Sequence, residues 1–163
     1  MSKYAFFAFN IIAIALPLAL LEIYWEGDKG WGSGMNKNRW FAKPFGPNSS
    51  VMKFIVKVIN IENPLNYHVF VFVATIPLIL LAEYIYFHHP PLVFVSSYFG
   101  ILLAEDFLWF LFNWHFDSLR QLLRGPNGSI WWHKRWIKIS PKHYLPAAYL
   151  TGLALSLFFL WLA

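Results

Sequence analysis

Long apolar runs, not alternation of apolar and polar positions, dominate this chain. Four stretches are nearly unbroken: residues 4–21, interrupted only by Asn10 and Pro17; residues 67–87, with Pro77 near the middle; residues 92–114; and residues 144–163, which carry no charge. A bilayer core about 30 Å thick takes about 20 helical residues, and each stretch has roughly that length. Strands of a membrane barrel alternate between lipid and lumen, so continuous apolarity points to helices, which satisfy their backbone hydrogen bonds internally. Between the first two stretches, residues 51–61 place apolar side chains at 51, 54, 55 and 58, while Lys53, Lys57 and Asn60 fall on another face. That spacing predicts a short amphipathic helix in the cytoplasmic membrane interface, its lysines reaching lipid phosphates, and Asn63-Pro64 ends it. The expected fold class is all-α: a polytopic integral membrane protein with four transmembrane helices in one bundle, a single domain over residues 1–163, plus the interfacial helix.

Composition supports that class. The chain is 58% hydrophobic and 21% aromatic but only 13% charged, where about 25% charged is usual for soluble domains. A small water-soluble domain has no interior large enough to hide this much apolar surface. The same numbers exclude disorder and coiled coil, and the absence of cysteine excludes a disulfide scaffold. The charge distribution sets an orientation. Lys29, Lys37, Arg39, Lys43, Lys53 and Lys57 follow the first stretch, and Arg120, Arg124, Lys134, Arg135, Lys138 and Lys142 follow the third, whereas Lys3 stands alone on the other side. The second connection, His88-His89-Pro90-Pro91, reads as a polar turn without Lys or Arg. Positive-inside counting therefore puts both long connections in the cytoplasm and both termini outside. The first stretch is longer than a typical signal-peptide core and lacks a small-x-small cleavage site, so it is expected to be retained.

Seven tryptophans (Trp25, Trp31, Trp40, Trp114, Trp131, Trp132, Trp136) gather at the inner boundary. A belt this one-sided predicts cytoplasmic loops that lie on lipid or cap the bundle, with residues 130–138 the clearest case. Lipids of the cytoplasmic leaflet are the expected partners, and nucleic acid is not. Ala148, Gly152 and Ser156 recur every four residues, and Ala15 and Ala19 offer a similar patch. Small faces let helices approach closely, inside one bundle first and between copies or with another membrane protein as the alternative. Gly30, Gly32 and Gly34 predict a flexible loop and match no phosphate-binding fingerprint.

Acids within apolar stretches are costly and ask for a reason. Glu22, Glu83, Glu105 and Asp106 are such residues, and no stretch contains a Lys or Arg to pair with them. Adjacent residues on a helix point about 100° apart, so Glu105 and Asp106 cannot serve one identical role. Glu22, Glu26, His68, Trp109, Asn113, His115 and His133 fall near the same depth, towards the cytoplasmic end. The candidate site is therefore Glu105, Asp106 and His115 as acid–base groups, with Glu22, Glu26, His68, Trp109, Asn113 and His133 as substrate- or lipid-binding residues. A divalent metal is compatible with these donors and not required by them. The run from Glu105 to Phe110, followed by His115, distantly resembles the start of one motif in membrane fatty-acid hydroxylases and sterol desaturases. Those enzymes need several H-x-x-H-H clusters, and the six histidines here are not so arranged.

Three functions fit these residues. The first is an accessory, structural or lipid-interacting membrane protein. The second is an enzyme acting by acid–base or metal-assisted chemistry on a lipid-soluble substrate. The third is a small ion- or proton-coupled transporter with Glu83, Glu105 and Glu22 as relay points. An empty, polar-lined pocket at the inner end weakens the first; both deep acids facing lipid would exclude the second.

Overall fold

Two prolines shape the first half of the molecule. Proline lacks an N–H and its ring collides with the carbonyl four residues back, so a helix that contains one distorts in the preceding turn. The computed structural model describes residues 1–27, 30, 32, 34–46, 49–50, 53, 64–115 and 118–163. In it, helix α1 (Lys3–Glu26) widens into a π-helical turn at Ile11–Ala15, two residues before Pro17. Helix α2 (Asn66–Phe87) does the same at Val69–Thr75, two residues before Pro77. Side chains take up carbonyls of the widened turn in α2: Thr75 Oγ1 donates to the Phe70 carbonyl at 3.1 Å, and Tyr98 Oη donates to the Phe72 carbonyl at 3.0 Å. Helix α1 begins where Ser2 Oγ accepts from the Ala5 N–H, an N-cap that satisfies one of the helix's orphan donors. Helix α2 ends on His88 in the left-handed conformation. Pro91, whose missing N–H is harmless at a helix start, opens helix α3 (Pro91–Phe112). The His-His-Pro-Pro segment is thus a tight turn, as expected.

Helix α3 is central. Its buried residues Val93, Ser97, Gly100, Ile101, Glu105 and Trp109 recur at three- and four-residue intervals, one helical stripe, and α1, α2 and helix α5 (Ala147–Leu162) pack around it. Small residues are required at Gly100, where an added Cβ would stand 2.7 Å from Ile11 Cδ1 and 3.2 Å from Ser156 Oγ. Three helices meet there. Beside it, Ser96 Oγ donates to the Ser156 carbonyl at 2.7 Å, and Ser156 Oγ returns a bond to the Ser96 carbonyl at 3.0 Å. Ala15 and Ala19 are fully buried. The small faces therefore serve close packing within the bundle.

The molecule is mostly helical, and α1, α2 and α3 are long and apolar enough to cross a membrane. Helix α5 is apolar but has 16 residues, because the stretch expected as helix over 144–163 does not start as one. His143–Pro146 is a strand, β2, paired antiparallel with β1 (Trp136–Ser140). The cause is local. The residue before a proline is driven to extended backbone, and Pro146 itself sits at the N-cap of α5. The all-α expectation is thereby corrected to a helical bundle carrying one two-stranded hairpin. The amphipathic helix expected over 51–61 lies outside the described residues, Lys53 apart, and so do Asp28 and Trp31.

At the end of the bundle that bears the long connections, the chain after helix α4 (Ser118–Arg124) folds back under the helices. Leu122, Ile130 and Trp132 are buried with Ala19, Ile23, Trp109 and Phe110 in one apolar cluster. Trp132 therefore caps the bundle, while its neighbour Trp131 stays exposed.

Candidate functional site

Geometry along two helices brings the acids together. Glu22 and Glu26 lie one turn apart at the end of α1, so they share a face, and α3 opposes that face with the buried side chain of Glu105. Tyr67 and His68 enter from the first turn of α2, Tyr149 from the first turn of α5, and Trp132 and His133 from the capping connection. Between them is a cavity of about 50 Å³, lined by Glu22, Glu26, His68, Phe72, Glu105, Asp106, Trp109 and Trp132. Cavities of this size hold a few waters or one small chemical group.

The Glu22 and Glu105 carboxyls are neighbours on the wall of this cavity, one from α1 and one from α3. Each group also has a buried oxygen, Oε1, without a hydrogen-bond partner. Among the described residues, no Lys or Arg forms an ion pair with Glu22, Glu105 or Asp106; histidines are the bases at ion-pair distance from the acids of this site.

Two similar constellations flank this pair. In the first, Glu26 Oε1 accepts from the Gly32 N–H at 2.6 Å and from the Tyr67 hydroxyl, and His68 Nε2 stands 3.8 Å away. His68 Nδ1 accepts from the Leu65 N–H at 3.0 Å, so the ring is neutral with its proton on Nε2, the nitrogen nearest Glu26. In the second, Asp106 Oδ2 accepts from Tyr149 Oη at 2.5 Å, and His133 Nε2 stands 3.3 Å from the same oxygen. Each constellation is a carboxylate held by a phenol with an imidazole alongside. The glycines expected to make a flexible loop instead fit close contacts. Gly32, with φ 67°, presents its N–H to Glu26. Gly30, with φ 60°, lies so near the Trp132 ring that an added Cβ would be 2.6 Å from Cη2.

Six of the nine expected site residues thus line the cavity: Glu22, Glu26, His68, Glu105, Asp106 and Trp109. His133 joins through Asp106. Asn113 does not line it; Nδ2 donates to the Gly27 carbonyl at 3.1 Å, tying the end of α1 to the end of α3. His115 is exposed and its ring lies against Trp114. At the far end of the bundle, Glu83 Oε2 accepts from Asn10 Nδ2 at 2.8 Å, which accounts for that acid by a structural bond. Tyr67, Tyr149 and Phe72 belong to the site although the sequence pattern does not single them out, and Trp132, expected in a capping connection, also lines the cavity. The one signal for them is depth: Tyr67 and Tyr149 sit in the same end layer as the acids, which outnumber the hydroxyl and amide donors beside them in sequence. Among the described residues, no three His, Asp or Glu side chains are placed to hold one metal ion.

No family model, no curated protein and no solved structure matches this chain.

Proposed function

We propose that the chain is a four-span membrane protein, with α5 as its short fourth span and both long connections in the cytoplasm, that works as a membrane-embedded acid–base centre. On this reading a lipid-soluble ligand reaches the cavity from the inner-leaflet side and exchanges a proton with the Glu22–Glu105 pair. Tyr67–Glu26–His68 holds one neighbouring carboxylate, and Tyr149–Asp106–His133 holds the other and passes protons onward. One observation carries the reading: Glu22 and Glu105 line one cavity, each with a buried oxygen that no protein group bonds. A buried polar atom without a protein partner is costly, and the cavity beside these oxygens leaves them open to a ligand or to water. Of the three functions the sequence admits, a cavity with four carboxyls and an imidazole on its wall favours chemistry over an accessory role.

Infrared difference spectra of the protein in lipid test this directly. A protonated-carboxyl C=O band is expected in the wild type, shifted or lost in both Glu22→Gln and Glu105→Gln. An identical band in wild type and both variants, with the thermal melt preserved, would overturn the reading.

Lipid interaction at the same end rests on a separate observation. Trp25, Trp40, Phe41, Trp114 and Trp131 are exposed there, interleaved with the basic residues of the two long connections. Aromatic rings with lysines and arginines suit an anionic inner leaflet.

A further inference from the structure

We propose that the cavity receives the protonated primary amine head group of a lipid-soluble molecule. The inference rests on the acid–base reading of the site and names the ligand class it would take. Charge balance comes first. Four carboxyl groups line the cavity, and no Lys or Arg among the described residues pairs with Glu22 or Glu105, so a cationic head group supplies the missing counter-charge. Hydrogen bonding comes next. Glu105, at 4% exposure, and Glu22 each direct an unbonded Oε1 to the buried side, and both residues line the cavity. A primary ammonium has three donors and no acceptor, so it can donate to carboxyl oxygens from both helices. A quaternary ammonium has no donor and leaves both unsatisfied.

The walls agree with the floor. Trp109 and Trp132 meet edge to face, with centroids 5.8 Å apart at 87°, and Phe72 completes the apolar lining. Aromatic faces attract cations, tryptophan most strongly, whereas a neutral alcohol gains nothing from them. A metal ion would want three or more convergent donors, which the described residues do not offer. A volume of about 50 Å³ admits a head group and little else, so the apolar remainder of the ligand lies outside, among the helices and lipid.

The test uses the full chain in phosphatidylcholine nanodiscs with three probes of equal chain length: decylamine, decanol and decyltrimethylammonium. Native mass spectrometry counts bound probe, thermal melts report stabilisation, and empty nanodiscs correct for partitioning. Decylamine should bind saturably and raise the melting temperature, with the other two at least about tenfold weaker, as expected when charged hydrogen bonds are lost. Glu22→Gln and Glu105→Gln should weaken decylamine by a similar factor, while Glu83→Gln, remote from the cavity, should not. Equal binding of decanol or of decyltrimethylammonium overturns the inference, and this comparison needs no variant to fold. If decylamine fails but the infrared carboxyl band behaves as proposed, only the ligand assignment falls. If decylamine binds selectively and the band is unchanged in both glutamine variants, the acid–base reading falls and the amine site stands.

Discussion

Tyr149 donates its hydroxyl proton to Asp106 Oδ2 at 2.5 Å, on the oxygen that His133 Nε2 approaches to 3.3 Å. The bond joins α5 to α3 at the layer where Tyr67 and Glu26 join α2 to α1. Each acid at the edge of the cavity is thus fixed by a phenol from a different helix, which leaves the Glu22–Glu105 pair as the least constrained carboxyls in the site. The same bonds link function to stability, because the phenols that orient the acids also hold the helices in register.

Tyr149→Phe removes that link without removing the ring. Interhelical hydrogen bonds inside membrane bundles contribute about 1 kcal/mol, so the variant should unfold at lower temperature or lower denaturant by about that amount. Tyr149→Phe combined with Asp106→Ala should cost less than the two single changes added, because the second removes the acceptor that the first orphaned. Thermal melts of the four proteins in one detergent check the coupling. Additive losses would mean the 2.5 Å contact carries no energy.

Gly100→Leu should be more damaging than any surface change. Its side chain would enter the space held by Ile11 and Ser156, and overpacking a close helix contact costs about 1–3 kcal/mol. Ile11→Ala in the same protein should recover part of the loss by opening room on α1. A melt unchanged by Gly100→Leu would show that α1, α3 and α5 do not converge there.

Because the chain has no cysteine, single engineered cysteines report orientation cleanly. A membrane-impermeant maleimide on intact cells should label Ser2→Cys, while Lys138→Cys and Lys142→Cys should react only after the membrane is opened. Labelling of all three from one side would overturn the proposed topology of four spans with both termini outside.

Several features of this fold are legible in the chain itself. Pro17 and Pro77 mark interruptions of two apolar runs, the His-His-Pro-Pro segment marks a turn, and Ser156 in a small-residue face marks close packing. Each is a local or periodic property, written within one or two turns of helix. Legibility fails where a residue's state depends on a distant partner. The start of the fourth apolar stretch, ending at Pro146, is a strand because Trp136 and Ile137 are there to pair with it. Asn113 and His115 share a depth with the site, yet one ties α1 to α3 and the other faces outward.

The sequence by itself determined the compositional class, the helical runs and the depth at which the ionisable residues gather, because apolar length and charge placement are additive along the chain. Tertiary structure alone decided which of those residues share a cavity. Facing across helices depends on rotation and packing, set here by contacts such as Gly100 against Ile11 and Ser96 against Ser156, between residues far apart in the chain. That rotation turns Glu105 inward towards Glu22, hands Asp106 to Tyr149, and brings two aromatic walls to a pair of carboxyls that no nearby stretch of sequence could have matched.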